Sequence, residues 1–307
     1  MTAPTRSSRG FTLVETLIAM VLLGLVSVVI YKMLITTQRV TDAQAERGDL
    51  QASLRAGALA VPSELRQIAL STSSAFDSIA DIRAVTDTSI TYRSMRGYYM
   101  ICGTPASATT VIVSDSIPSA FASEYRAPTT SDSALVFWEG DSTITSDDHW
   151  IPVAITAVAR ATNSCTFPSG AGPGYTLTVS SLTSRSGLAF AKIYAGSPVR
   201  TWETVQLTLY ASSGQQWLGM SVNGGTTQPV MGPLAPTAGG VYGFQLTYFD
   251  STGTALTASS ASIPKIRSIR VALRGVTEGA VALAGKTRSI IQDSLVTTIT
   301  PRNTPFN

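Results

Sequence analysis

The chain has little charge and few of the residues on which enzymes depend. Lys, Arg, Asp and Glu together make up 13% of its 307 residues, and there is one histidine, His149, and only two cysteines. A Ser-His-Asp triad would have to use His149. The sequence has no GxGxxG after a predicted strand, no Walker loop, no HExxH and no CxxC pair. We therefore expect no enzyme activity, no catalytic residue and no cofactor.

The charges that are present almost balance. Lys and Arg number 22 against 19 Asp and Glu, which gives a net charge of +3. Such a small excess hardly favours nucleic acid as a partner. A sparsely charged surface rich in Ser and Thr suits an extracytoplasmic protein, and two cysteines agree with an oxidising compartment.

One cluster of acidic residues has the composition of a metal-binding loop. Asp141, Asp147 and Asp148 lie close to His149 in the sequence, and carboxylates of this kind bind calcium. Their spacing does not fit an EF-hand loop. The alternative is a solvated acidic loop with a surface histidine. We favour the loop and predict no metal site.

The longest apolar run lies near the N-terminus. From Phe11 to Tyr31 the only charged residue is Glu15. A helix of about 20 residues, rising 1.5 Å per residue, spans a hydrocarbon core. A carboxylate in such a helix costs roughly 2.5–3.5 kcal/mol on insertion scales, so Glu15 is expected to have a partner. The alternative is a signal anchor that happens to contain a glutamate.

The residues before this run are polar and end in glycine. Residues 1–10 include Arg6 and Arg9 and contain no apolar core, so they differ from an ordinary secretory signal. The run from Arg9 to Glu15 reads Arg-Gly-Phe-Thr-Leu-Val-Glu. It resembles the cleavage motif of class III prepilins, the precursors of type IV pilins and type II secretion pseudopilins.

The resemblance implies a processing step and an assembly role. A prepilin peptidase would cut between Gly10 and Phe11 and methylate the new amino group of Phe11. Glu15 would then pair with the Phe11 amine of a neighbouring subunit. Opposite charges attract strongly at low dielectric, whereas either one alone would stay uncompensated. The implied partners are prepilin peptidase, other pilin or pseudopilin subunits, and the inner membrane.

Beyond the membrane segment the helix is expected to continue to about Val61. Apolar residues recur at helical spacing while charged residues occupy the other faces. Pro62 is expected to kink or end the helix, followed by a short extra turn. The stripe predicts docking on a sheet, with a coiled-coil arm as the alternative. Its members are Leu50, Leu54, Ala58, Val61, Leu65 and Ile68.

The rest of the chain has the two-residue period of β-strands. We predict strands at 89–92, 97–102, 111–113, 135–139, 175–179, 204–209, 216–222, 242–248 and 268–274. One or two helical turns are expected at 118–126. Residues 223–240, rich in Gly, Pro and Thr, are expected to form a long mobile loop.

The C-terminal sixty residues extend the resemblance. The strand at 246–250, its Gly turn and the strand at 263–273 resemble the end of PilW-like minor pilins and of type II secretion pseudopilin J. The strand carries a basic group (Lys265, Arg267, Arg270 and Arg274). Such a group contacts DNA phosphates or forms the solvated face of an edge strand. We favour the edge strand and keep DNA or a surface ligand as the weaker alternative.

These patterns predict an α+β protein with a long N-terminal helix packed on an antiparallel sheet. We expect a leader at 1–10, a membrane-spanning half-helix at 11–35, an amphipathic half at 36–68 and a β-rich head at 69–307. The N-terminus would be cytoplasmic before assembly, by the positive-inside tendency, and the head periplasmic and then extracellular on a pilus.

The expected function is that of a minor pilin that primes assembly or lies at the tip of a type IV pilus. A type II secretion pseudopilin and a membrane-anchored adhesin are the alternatives. We also predict a Cys102–Cys165 disulfide, because both residues would lie outside the cytoplasm and no other cysteine competes. Two buried free thiols would be the alternative.

Overall fold

A computed structural model describes residues 12–66, 68, 81–115, 126–141, 143–144, 147–165, 172–183, 189–281 and 287–301. The fold is α+β, as predicted: a long helix precedes a sheet in which every described strand pairing is antiparallel. The chain divides into two compact units. One comprises Met1–Ala52 and Val276–Gln292, and the other comprises Ser53–Gly275 and Asp293–Asn307.

The helix, α1, extends from Leu13 to Arg66 without a break at Pro62. The helix therefore does not end near Val61, and its last residues supply the further turn that was expected through Leu65. A proline inside a helix removes one backbone donor, but Val61 and Leu65 on either side of Pro62 are fully buried. Their burial stabilises the last turns of the helix despite the lost hydrogen bond.

The second half of α1 docks on the sheet, which confirms the predicted stripe. Leu54, Val61 and Leu65 are buried, and the Ser53 hydroxyl donates to the Gly232 carbonyl at 3.2 Å. Gly57 lies so close to Met231 that a Cβ at this position would overlap the Met231 sulfur. Helix and strand approach each other closely there, and a larger residue would have to displace the Met231 side chain.

Thirteen strands are described. In chain order they are β1 (Ile82–Val85), β2 (Ser89–Met100), β3 (Thr110–Ser114), β4 (Ser133–Trp138), β5 (His149–Cys165), β6 (Gly172–Val179), β7 (Pro198–Ser212), β8 (Gln215–Val222), β9 (Gln228–Leu234), β10 (Phe244–Phe249), β11 (Ala255–Leu256), β12 (Ser268–Val276) and β13 (Gln292–Ile299).

The strands form one sheet in the order β11-β10-β12-β9-β8-β7-β4-β5-β6-β3. β2 also pairs with β7 and with β1, and β13 pairs with β12. The strands β3 to β6 enclose a buried apolar cluster with parts of β2 and β7. Its members include Tyr99, Val113, Val136, Ile151 and Leu177.

Several predicted strands are confirmed, most clearly the hairpin of β7 and β8. Val205 and Leu207 are buried, as their alternation with polar residues predicted. The turn is made by Ser213 and Gly214, which both have positive φ, 52° and 77°. Two positive φ values in succession suit the twist of a two-residue hairpin.

Residues 223–240 were predicted as a mobile loop, and this is wrong because they contain β9 between β8 and β12. Met231 and Leu234 are buried in this strand. At Gly232 the backbone approaches the Trp217 ring, where a Cβ would lie 2.6 Å from a ring carbon. The glycine that suggested a loop is required by this close approach.

Two further predictions need comment. Residues 89–92 and 97–102 were predicted as separate strands, but most of both belong to the single strand β2, with an irregularity in its pairing to β7 between Met95 and Gly97. A bulge allows the strand to continue through Gly97. The helical turns predicted at 118–126 fall almost entirely on residues 116–125, outside the described residues.

The cysteines are joined in the structure. Cys102 and Cys165 are both buried, and a disulfide links them with a Cα–Cα distance of 4.9 Å. We expect peptide mapping of the full-length chain from its native host, without reduction, to recover these two residues in one cross-linked fragment. Recovery of both cysteines as alkylated free thiols would contradict the bridge. The same digest after reduction is the control.

Candidate assembly segment

The first part of α1 exposes an unbroken apolar surface. Every residue from Thr12 to Leu34 is exposed. The large apolar side chains in this range are more than half exposed, among them Leu17, Met20, Leu23 and Ile30. This helix is long and apolar enough to cross a membrane. So large an apolar surface requires hydrocarbon or other apolar helices around it.

The start of this helix is closed by a pair of reciprocal hydrogen bonds. The Thr12 backbone N–H donates to Glu15 Oε2 at 3.4 Å, and the Glu15 backbone N–H donates to Thr12 Oγ1 at 3.3 Å. This is a capping box, in which the residue before the helix and the third helical residue satisfy each other's backbone donors. Thr12-x-x-Glu15 is visible in the sequence, but our sequence reasoning considered only the charge of Glu15.

The capping box places the Glu15 carboxylate and leaves it available. A carboxylate offers about four acceptor positions, and the described contacts of Glu15 use one oxygen. The N-terminus of a helix also favours a negative charge. Thr12 thus holds Glu15 at the end of the helix, and the hydrogen bonds made by the described residues leave its other carboxylate oxygen unused.

Gly10 and Phe11 lie outside the described residues, so cleavage between them and methylation of Phe11 stay predictions. Residues 5–31 match a prokaryotic N-terminal methylation motif. The match includes Gly10, Phe11 and Glu15, and it indicates a precursor of the type IV pilin-like or pseudopilin class.

The motif implies processing by prepilin peptidase and assembly with other pilins. Together with the one helix able to span a membrane, it fits anchoring in the inner membrane. The matched residues end at Tyr31, so they do not extend into the sheet. No curated protein and no solved structure matches the chain at a significant level.

A chain of ion pairs joins the end of α1 to the sheet. Arg126 binds Asp132 through both carboxylate oxygens, at 2.8 and 2.7 Å, and also contacts Glu203. Glu203 accepts a hydrogen bond from Arg96 Nε at 2.9 Å. Arg96 in turn lies 3.7 Å from Glu64 on the helix. The Asp132 bond raises the pKa of Arg126, with burial acting against it.

Two hydroxyl groups of β2 extend this network by donating to Glu64 of the helix. Glu64 Oε2 accepts hydrogen bonds from Tyr92 at 3.3 Å and from Ser94 at 3.1 Å. Burial raises the pKa of Tyr92 well above its ordinary value, and the Glu64 charge adds to this effect. Tyr92 therefore stays a neutral donor, and the helix end is fixed to β2 by hydrogen bonds as well as by packing.

Two carboxylates of the acidic loop, those of Asp141 and Asp147, accept hydrogen bonds from within the loop, whereas Asp148 Oδ1 is buried without a partner among the described residues. Asp141 accepts hydrogen bonds from the Thr143 N–H and hydroxyl, which lower its pKa. Asp147 accepts from the Asp141 N–H at 2.7 Å, and the His149 ring stacks on Trp138 with centroids 5.7 Å apart. Within the described part of the chain, no three His, Cys, Asp or Glu side chains are grouped to hold a metal ion.

Two members of the basic group, Arg270 and Arg274, lie on β12, which pairs with β10, β9 and β13 and is therefore not the edge strand we expected. Lys265 and Arg267 precede this strand. Arg267 donates to the carbonyls of Pro264 and Ile266. Arg274 donates to the Tyr242 carbonyl at 2.6 Å, and Arg270 lies 4.7 Å from the Phe249 ring centroid. Arg267 and Arg274 thus use donors within the chain, and we propose no DNA site here.

Proposed function

We propose that this protein is a minor subunit of a type IV pilus, at or near the tip, where it helps to prime assembly. The observation that carries the proposal is the methylation motif at residues 5–31 on an exposed apolar helix. The large β-rich head supports a minor role, because a major pilin must pack many times around a filament. A binding and assembly role, without catalysis, follows from the same features.

The proposal includes a topology and a division of the chain. Residues 1–10 are the cytoplasmic leader, 11–35 span the inner membrane, 36–68 form the amphipathic half of the helix and 69–307 form the head. Arg6 and Arg9 support a cytoplasmic leader. The head then lies in the periplasm before assembly and on the filament afterwards, where an oxidising environment suits the Cys102–Cys165 bridge.

The same motif would serve a type II secretion pseudopilin, which differs in the machine it joins. Deletion of the gene separates the two. Loss of surface pili with normal exoprotein secretion is expected for a minor pilin. Loss of exoprotein secretion with normal pili would assign the chain to the secretion machine.

Processing is tested by N-terminal mass spectrometry of the protein from its native host. We expect the mature chain to begin at Phe11 with a methylated amine. A Gly10→Val variant is the control, since it changes the residue before the cut and should keep the leader. Assembled protein that still begins at Met1 would contradict the proposal.

A further inference from the structure

A charged cavity lies beside the part of α1 that follows its apolar surface. The cavity has a volume of about 510 Å³ and is lined by one face of the helix and by the segment that follows β12. All of its lining residues belong to the compact unit formed by Met1–Ala52 and Val276–Gln292. Ala43 of the helix and Val281 of the segment are buried in its lining. Helix and segment therefore pack together around the cavity.

Three carboxylates line the helix side of the cavity. Asp42, Glu46 and Asp49 follow one another at spacings of four and three residues, which places them on one face of α1. A Cβ added at Gly279 would lie 3.8 Å from Glu46 Oε1, so this carboxylate faces the segment after β12. With the residues that the structure describes, none of the three acidic side chains forms an ion pair. The cavity thus presents a row of negative charge.

Two arginines line the same cavity. Arg39 lies on α1 before all three carboxylates, and Arg288 belongs to the segment after β12. Both residues are exposed, and neither pairs with a carboxylate in the described part of the chain. The cavity therefore offers positive and negative groups together, and Arg39 lies nearer to the apolar part of the helix than the carboxylates do.

The cavity lies close to the point where the apolar surface of α1 ends. That exposed apolar surface extends to Leu34, and Arg39 follows it by about 8 Å along the helix axis at 1.5 Å per residue. The headgroup layer of a bilayer is about 5–8 Å thick on each side of the hydrocarbon core. Helical side chains lean toward the N-terminus of their helix, which brings the Arg39 guanidinium to the level of the lipid phosphates when α1 spans a membrane.

We infer that this cavity binds the headgroup of a phospholipid that carries both a phosphate and a primary ammonium, as phosphatidylethanolamine does. Arg39 and Arg288 bind the phosphate, because guanidinium donors match phosphate oxygens. The ammonium has three N–H donors and donates them to Asp42 and Glu46, farther from the hydrocarbon. The inference rests on the membrane position in the proposed function and names the lipid met there. The bound lipid holds an unassembled subunit at a fixed height in the periplasmic leaflet.

The arrangement of charges favours this headgroup over other ligands. Phosphatidylglycerol carries the phosphate without a cation, so the carboxylates of the cavity would stay uncompensated beside it. Phosphatidylcholine carries a cation that has no N–H donors for those carboxylates. A metal ion would use the carboxylates and leave both arginines without a partner. In addition, no three His, Cys, Asp or Glu side chains in the described part of the chain are grouped to hold a metal.

The test measures which lipids the full chain retains. The chain is reconstituted into nanodiscs that contain equal amounts of phosphatidylethanolamine, phosphatidylglycerol and phosphatidylcholine. After transfer into a mild detergent, native mass spectrometry counts the lipids that stay bound and identifies each of them by its mass. We expect phosphatidylethanolamine to be retained at least about tenfold more than either of the other lipids, which corresponds to 1.4 kcal/mol.

Two double variants separate the two ends of the headgroup. Asp42→Asn with Glu46→Gln should make the retention of phosphatidylethanolamine and phosphatidylglycerol equal, because the acceptors of the ammonium lose their charge. Arg39→Gln with Arg288→Gln should lower the retention of phosphatidylethanolamine at least about tenfold. Arg47→Gln is the matched control. Arg47 is exposed on the same helix outside the cavity lining, so this variant should retain lipids as the wild type does.

Equal retention of the three lipids by the wild type would overturn the inference, and so would an unchanged preference in either double variant. Retention that appears only in Lys286→Gln would also overturn it, because an ammonium of the chain itself would then occupy the carboxylates. A chain that enters nanodiscs without a lipid preference loses this site alone, and the proposed pilus function stands. A chain that enters no nanodisc would contradict the membrane anchor and overturn both.

Discussion

Replacing Glu15 with alanine is expected to leave membrane insertion and processing intact and to reduce incorporation into filaments at least about tenfold, the equivalent of a loss of 1.4 kcal/mol. Removing the carboxylate helps insertion, because a charge inside hydrocarbon is costly. Assembly suffers because the Phe11 amine of the adjacent subunit loses its counter-charge. The measurement is the amount of protein in sheared filaments divided by the amount in membranes.

Two variants separate the possible roles of Glu15. Glu15→Asp keeps the charge with a shorter reach and should be intermediate. Thr12→Val removes the hydroxyl that caps the helix but keeps the carboxylate; loss of a cap costs about 0.5–2 kcal/mol of helix stability. Equal filament ratios for wild type and Glu15→Ala would reduce the segment to an anchor. A defect in Thr12→Val as large as in Glu15→Ala would mean that capping, and not pairing between subunits, is what assembly requires.

The second large effect is expected on the free energy of unfolding, when Glu203 is replaced. Glu203→Gln removes the charge shared by Arg96 and Arg126. Breaking a buried pair costs about 3–5 kcal/mol. We expect about 2–3 kcal/mol here, since Arg126 is 39% exposed and water screens part of its charge. The measurement is the denaturant midpoint of the full chain, at unchanged slope.

Asp115→Asn is the matched control for this variant. It removes the carboxylate that binds Arg160, whose side chain is 62% exposed. Exposed pairs contribute about 0–1 kcal/mol, so the midpoint should hardly move. Equal losses in the two variants would show that the network adds no more than a surface pair.

The sequence predicts those strands and helices that have one buried face and one solvent-exposed face. Tyr175, Leu177 and Val179 alternate with polar residues and are buried in β6. Phe244, Leu246 and Tyr248 behave in the same way in β10. The helix stripe is also visible, because its period differs from that of a strand. In each case local spacing is enough to fix the element.

The parts that the sequence does not predict depend on distant residues. β9 is formed because β8 and β12 flank it. The sequence of residues 223–240 alone does not indicate these pairing partners. Pro62 stays helical because Val61 and Leu65 are buried. The candidate sites show the same contrast between features set by local sequence and features set by distant residues. The charge of Glu15 is evident from its position in an apolar run, but the contacts of Glu203 with Arg96 and Arg126 emerge only once the sheet is assembled.

The pairing of β2 with β7 determines how long β2 waits for this partner strand during synthesis. Tyr92 of β2 lies opposite Val205 of β7, and at ~5–20 residues per second the roughly 120 residues from the start of β2 to the end of β7 take about 6–25 s to make. A helix forms in about a microsecond, so α1 is complete long before its sheet. For those seconds Ile90 and Tyr92 have β1 as a neighbouring strand but not β7. This interval defines a window in which a holdase chaperone would find its binding surface.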